Sequence, residues 1–528
     1  MRKNNRIVII CPYLFRLTRG IERFCISLSK AFADKGYDVV IYAWGTIKEN
    51  SCGEIDKRIK IRKVPYCRWY QEKIAVLFYR WWLRQDNPKA TILNFLYHGE
   101  ISLPRKRKYL YILHSPASQI PGRYEFVKNH IEDFENRIIY YESSRGCPFR
   151  CSYCLSSVEK TLRFRDVERV KKELAFFLEQ EVAQVKFVDR TFNCRHEHAM
   201  EIWKFLIEHD NGVTNFHFEI SADLLTDEEI ALIGQMRPGL IQLEIGVQST
   251  NDATITEIHR TMQLDRLKAV VRSIQEKENI HEHLDLIAGL PYEGYETFAR
   301  SFDEIYALKP NQLQLGFLKV LKGSYMYEHA TEYGLIYRSR PPYEVLKTNW
   351  LKFGEILRIR QVEEMLEVYY NSGQYATAIR LLETQYVSAF AMFAELGTFY
   401  EEHGYFGMGH SRMRRAEILL EFAKERRPGV LPVLGEGLVY DLYERENLGS
   451  RPAWAADANE WKQMTRQYGK NGKQSHIERF FYRFSGRRQD TVLLPERLED
   501  PVYVRFDYTG RDPLDHQARH EYLEPSGE

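Results

Sequence analysis

Over residues 1–131, apolar runs alternate with stretches of helical period. "RIVIIC" reads as a strand, and "IERFCISLSKAFADKG" as an amphipathic helix stopped by Gly36. "DVVIYAW", "KIRKVP", "TILNFLY" and "KYLYILH" read as further strands. Continuous apolar strands separated by helices predict a parallel sheet covered on both faces. Between about 135 and 335 the same logic recurs with clearer periods. The strands are "RIIYYES", "QVKFVDR", "NFHFEIS", "LIQLEIG", "HLDLIAGL" and "QLQLGFLKV", with helices such as "DVERVKKELAFFLEQ" and "TDEEIALIGQM" between them. The latter opens on Thr226 with Glu229 three residues on, a capping box. Six βα units predict an open, partial barrel rather than a closed eight-stranded one. From about 336 to 528 helical patterns dominate, and a polar tail holds one strand-like piece, "PVYVRFDY". The predicted fold class is α/β: a Rossmann-like N-terminal domain (1–131), a central partial (βα)6 barrel (135–335) and a mainly helical C-terminal region (336–528).

Composition narrows the function classes. A length of 528 residues suits three or four domains, and 44% hydrophobic content supplies ample core. A net charge of +2 gives no global argument for nucleic acid or an anionic membrane. The tight basic cluster Arg105-Lys106-Arg107-Lys108 reads as a solvated loop, and no basic, aromatic-studded surface marks an RNA substrate. No apolar run approaches the roughly 20 residues that span a bilayer. "KIAVLFYRWWLR" is interrupted by Arg80 and reads as a buried or amphipathic helix. With no signal peptide in view, the expectation is a soluble cytoplasmic protein.

Eight cysteines in a chain of this length make no disulfide framework, but three of them crowd together in "ESSRGCPFRCSYCLSS". Cys147, Cys151 and Cys154 are spaced Cys-x3-Cys-x2-Cys, just after the first strand of the six-unit region. Loops at the carboxyl ends of parallel strands build active sites in such architectures. A zinc site wants a fourth Cys or His at a similar spacing; the nearest, Cys194 and His196, lie about forty residues on. Three thiolates on a [4Fe-4S] cluster leave one iron open for a ligand that is not protein. Downstream, polar residues fall at strand ends: Asp189, Glu219, Gln248, Asp285 and, twelve residues after Gln248, Arg260. Glu244 and Gly246 point the same way along one strand. Taken singly, each has a structural reading as a cap, a turn residue or an ion pair.

The cysteine spacing, with Tyr153 before the last cysteine and these residues following in order, resembles the radical S-adenosylmethionine (SAM) enzymes over roughly residues 138–320. The order is similar to the branch that includes oxygen-independent coproporphyrinogen oxidase and the methylthiotransferases. The resemblance implies that the cysteines hold a [4Fe-4S] cluster whose open iron binds SAM. Reductive cleavage of SAM to methionine and a 5′-deoxyadenosyl radical would follow. It also implies that Tyr153, Glu219, Gln248, Arg260 and Asp285 contact SAM, with Asp189 near its amino group. A reducing partner such as flavodoxin or ferredoxin is expected. "QLGFLKVLKGSYMYEHA" and "RPPYEVLKTNWLKF" resemble an uncharacterised subgroup whose members usually carry an N-terminal cobalamin-binding domain. This chain departs from that pattern, because the cobalt-ligating Asp-x-His-x-x-Gly occurs nowhere in it.

Residues 1–131 instead resemble the N-terminal half of a GT-B glycosyltransferase, through "IVIICPYLFRLTRGIERFCISLSKAFADKGYDVVIYA" and "YILHSPASQIPGRYEFVKNHI". His98 and His114 read as loop or strand-end residues of that fold. The alternatives to a radical SAM enzyme are therefore a carbohydrate-active protein with structural cysteines and a zinc-binding scaffold. The substrate is not legible, because hydrogen abstraction, methylation and sulfur insertion begin with the same radical.

Overall fold

The computed structural model describes residues 5–11, 20–44, 55–65, 71–93, 109–111, 138–158, 161–455, 472–484 and 494–523. Two compact units divide between Glu135 and Ser143. His98 and His114 lie outside the described residues.

In the first unit, β1 (Arg6–Ile10), β2 (Asp38–Trp44), β3 (Lys60–Val64), β4 (Ala90–Leu93) and β5 (Tyr109–Tyr111) form one parallel sheet in the order β3-β2-β1-β4-β5. Alternate residues serve opposite faces. Val8, Ile10, Val40 and Tyr42 cluster with Tyr79, Trp82 and Leu83 of the helix Gln71–Asp86. Ile7, Ile9, Val39 and Ile41 cluster with Cys25 and Ala33 of the helix Gly20–Asp34. Two covered faces explain why these strands read as unbroken apolar runs. The strand order reverses beside β1, as in doubly wound Rossmann-like sheets.

The second unit contains all of the barrel sheet except its first strand, which lies at the division. The strands of this sheet are β6 (Ile139–Tyr141), β7 (Gln184–Phe187), β8 (Asn215–Ile220), β9 (Ile241–Gln248), β10 (His281–Ala288) and β11 (Gln312–Phe317). They lie in sequence order, β11-β10-β9-β8-β7-β6, and β7 to β11 pair in parallel. The first and last strands do not pair, so the barrel is open. Val185, Phe187, Phe216, Phe218, Leu243 and Leu284 are completely buried on the helix-covered side. There Trp203 of the helix His196–Glu208 meets Phe218 edge-on at 6.2 Å. Thr226 and Glu229 form the predicted capping box.

Five helices follow between Phe353 and Arg445. They dock on the barrel through Lys309 Nζ to Glu383 at 2.6 Å and the Tyr370 hydroxyl donating to the Pro310 carbonyl at 2.6 Å. The tail holds a three-stranded antiparallel sheet, β12 (Ser475–Phe480), β13 (Val502–Arg511) and β14 (Ala518–Leu523), where the sequence reading expects one strand. The outer strands, "SHIERF" and "ARHEYL", carry adjacent charged residues with no regular alternation and so read as polar tail.

Candidate active site

The cysteine loop is held from three sides. Gly146 has φ +96°, and a Cβ there would meet the Thr161 carbonyl oxygen at 2.5 Å, so only glycine fits the turn into the loop. The Ser152 amide donates to the Ile258 carbonyl at 2.9 Å, and the Met326 amide donates to the Ser152 carbonyl at 3.1 Å. The segment after the barrel thus straps the loop in place. Before it, Asp189 is fully buried and accepts from the Ser143 amide (2.9 Å) and from the Ser143 (2.7 Å) and Ser144 (2.6 Å) hydroxyls. Ser143 Oγ also lies 3.0 Å from His198 Nε2. Asp189 therefore anchors the residues that lead into the cysteines, and it is the one predicted site residue that does not line the cavity described next.

A cavity of about 190 Å3 is lined by Cys147, Cys151, Tyr153 and Cys154 on one side and by Glu219, Glu244, Gln248, Arg260 and Asp285 on the other. Residues spread over 139 positions are gathered there by the strand ends. Arg260 Nη1 lies 3.9 Å from Cys151 Sγ and 3.4 Å from the Tyr153 hydroxyl, and the guanidinium also donates to the Gly246 carbonyl. Its buried Nε has no hydrogen-bond partner. Burial pushes the Cys151 thiol up, with Arg260 opposing. Gln248 sits at φ +75°, where the β9–β10 register shifts, a conformation uncommon for a side-chain-bearing residue. Burial, then repulsion from Glu244, raises Glu219 to about 7. Burial acts on Glu244 too, but His217 and Lys186 outweigh it and hold Glu244 at about 2. Among the described residues, no three or more His, Cys, Asp or Glu side chains are grouped to hold a single metal ion. The donor set is three thiols from one loop, a buried cation beside one of them, and an unused guanidinium N–H. That set fits an iron–sulfur cluster with an anionic ligand group next to it.

Residues 141–305 match the family pattern of the radical SAM superfamily. That segment is a radical SAM domain. Residues 331–492 match a second family, described as a protein of unknown function. The chain is 24% identical over 273 residues to an uncharacterized methyltransferase of Pyrococcus horikoshii, covering 50% of this chain and 54% of that one. It is 28% identical over 169 residues to the cobalamin-dependent radical SAM methyltransferase TokK of Streptomyces tokunonensis, covering 30% and 24%. The chain thus spans about half, or less, of the length of the curated relatives it matches. The radical SAM methyltransferase TsrM of Kitasatospora setae, solved with cobalamin and a [4Fe-4S] cluster, aligns over 66% of this chain and 82% of its own. At 12% identity and a TM-score of 0.37, that likeness carries no argument.

Within the radical SAM core, sequence reasoning misses a buried brace. Glu293 accepts from the Ser249 hydroxyl at 2.6 Å and the Ser301 hydroxyl at 2.9 Å, and burial raises it to about 7. Ser249 follows Gln248 directly, so the brace ties the end of β9 to the turn after β10. The only sequence signal is a carboxylate four residues after Gly289 in "GLPYE". Glu293→Ala is expected to cost about 1–3 kcal/mol, because buried hydroxyls lose their acceptor. It should also weaken SAM binding while iron content holds. Glu293→Gln keeps an acceptor oxygen and should recover most of both. Thermal unfolding and equilibrium dialysis with labelled SAM check this.

Proposed function

We propose that the chain reductively cleaves SAM at a [4Fe-4S] cluster held by Cys147, Cys151 and Cys154, and that the resulting radical acts on a substrate. The observation that carries this is the convergence of the three thiols with Glu219, Gln248, Arg260 and Asp285 on one cavity inside the radical SAM segment. The chemistry such a cluster supplies is one-electron reduction of the SAM sulfonium, which breaks its bond to C5′ and leaves methionine and a 5′-deoxyadenosyl radical.

The chain's own residues bind and orient. The free Nε–H of Arg260 suits the SAM carboxylate, and its cation also balances charge beside Cys151. Glu219, Gln248 and Asp285 offer acceptors for a ribose diol and an ammonium, and Tyr153 closes the cysteine side. Asp189 acts through Ser143 and Ser144, by fixing where the loop begins. An external low-potential electron donor, such as flavodoxin or ferredoxin, is required. A reducing cytoplasm suits so oxygen-sensitive a group; among the described residues, no helix is long and apolar enough to cross a membrane. A relative is named cobalamin-dependent, but the cobalt-ligating motif is missing here, so the proposal takes no step through cobalamin.

The test is anaerobic reconstitution, addition of dithionite and SAM, and mass spectrometry for 5′-deoxyadenosine. A bound, reducible cluster that never yields it, with or without cell extract, would sink the reading. A pH dependence follows from Glu219. Its carboxyl is protonated below about pH 7, and cationic SAM must then displace that proton. SAM affinity should therefore fall as pH drops from about 8 to about 6, by up to roughly tenfold per unit once below 7. Glu219→Gln should flatten that slope.

A further inference from the structure

Four large apolar side chains stand exposed in one connected region of the second unit: Tyr292 (47%), Ile336 (54%), Phe353 (51%) and Leu357 (43%). Local contacts knit the region together. Tyr292 packs on Trp350 at 4.6 Å, and Trp350 lies 6.3 Å from Tyr333. The Asn349 amide donates to the Tyr333 carbonyl at 3.1 Å. Ile336 and Lys347 oppose each other across a short antiparallel pair, so their side chains share a face. Phe353 and Leu357 lie one turn apart on the helix Phe353–Leu366. Single exposed hydrophobes are ordinary on a surface; a contiguous group marks a binding face. Tyr292 is also held out at a backbone cost. Its φ is +60°, uncommon for an aromatic residue, and the next residue is the buried brace Glu293.

Cations are interleaved with these side chains. Lys347 opposes Ile336, Lys352 precedes Phe353 and Arg358 follows Leu357; all three are exposed, as are Arg338 and Arg340 of the same segment. Two nearby carboxylates are engaged, Glu344 with Arg360 and Glu355 with the Lys352 amide at 2.7 Å. Exposed Glu296 and Glu332 at the border leave the cations in excess. A whole-chain charge of +2 conceals this local excess. The alternation selects among partners. A protein interface gathers apolar residues at its core and keeps charges to the rim, and a second copy of the chain would bring like charges together. A bilayer surface accepts alternation, because Lys and Arg stems lie along apolar groups while their heads reach lipid phosphates. Tyr and Trp favour that same boundary.

We propose that this surface attaches the chain peripherally to a bilayer rich in anionic phospholipid. Tyr292, Ile336, Phe353 and Leu357 enter the headgroup boundary, and Lys347, Lys352 and Arg358 engage the phosphates. The surface lies at the cavity end of the barrel. Tyr292 follows β10, whose Asp285 lines the cysteine cavity, and Asn251, three residues after Gln248, donates to the Tyr292 carbonyl at 2.9 Å. Lipid binding here requires no SAM cleavage.

The test uses the full chain and sedimentation with sucrose-loaded vesicles. One set is phosphatidylcholine alone; the other is equal parts phosphatidylcholine and phosphatidylglycerol. The expected result is co-sedimentation with the mixed vesicles, about tenfold or more weaker on phosphatidylcholine and reversed by high salt. Each Lys or Arg near an anionic surface contributes about fivefold, so Lys352→Glu combined with Arg358→Glu should lower partitioning by roughly 25-fold or more. Phe353→Ser should lower it about tenfold. All three positions are exposed, so circular dichroism and unfolding temperature should not change. Binding to neither vesicle overturns the proposal, as does equal binding to both compositions, or equal binding by the variants and the unaltered chain. Two other results overturn it by assigning the surface elsewhere. One is salt-sensitive binding of oxidised flavodoxin, an acidic protein, that the charge variant abolishes while vesicles do not bind. The other is a dimer in sedimentation velocity that Phe353→Ser splits.

Discussion

Cys151→Ala protein, reconstituted anaerobically with iron and sulfide, is expected to hold no [4Fe-4S] cluster and to release no 5′-deoxyadenosine above background. Cys147→Ala and Cys154→Ala should behave alike. The reason is ligand count: with one iron left for SAM, three thiolates are the minimum the protein can supply, and two leave a second iron uncovered. Position adds to this. Cys151 is buried beside Arg260, while the loop's turns and its bonds to Ile258 and Met326 fix where each sulfur points. Cys67→Ala, outside the motif, should keep both cluster and cleavage. Iron per chain, the visible absorption band and product mass spectrometry give three readouts. Cleavage at the unaltered rate in Cys151→Ala would return the cysteines to a structural role.

Gly246→Leu should give the opposite separation, a full cluster with SAM binding lost. A Cβ at Gly246 would collide with the Gln248 side-chain amide and sit 3.6 Å from Arg260 Nη2, so even a small side chain enters the cavity. Overpacking of this kind costs about 1–3 kcal/mol, which as binding is roughly a tenfold to hundredfold loss. Leucine, extending further into a cavity of about 190 Å3, belongs at the upper end. The cysteine loop has its own anchors in Asp189, Ile258 and Met326, so iron content should stay near normal. Equilibrium dialysis with labelled SAM, alongside iron analysis, decides. If cluster and SAM binding fall together, Gly246 is needed for the fold rather than for the space it leaves.

Much of this was legible before any coordinates. Hydrophobic period alone placed the strands of both parallel sheets, and the Cys-x3-Cys-x2-Cys spacing pointed to a site at a strand's carboxyl end. The order of polar residues behind it carried the superfamily, which the match over residues 141–305 supports. Two strands of the C-terminal sheet are not legible because their runs of charged residues imitate a polar tail. The sequence places Asp189 near the SAM amino group; in the structure its carboxylate accepts from the hydroxyls of Ser143 and Ser144.

What the sequence determined by itself is therefore the set of local commitments: strand and helix periods, capping at Thr226, and three thiols within eight positions. These depend on neighbours along the chain, and a one-dimensional reading reaches them. Tertiary structure alone decided which polar residues meet. Glu293 reaches back 44 positions to Ser249, and Lys186 reaches forward 58 to Glu244. The parallel register, set by crossover helices between strands, brings Glu244 beside His283 and Gly246 beside Asp285. Such contacts leave no periodic trace. The register that creates them comes from burying the opposite, apolar face of every strand, and a shift of one residue would turn the whole polar row into the core.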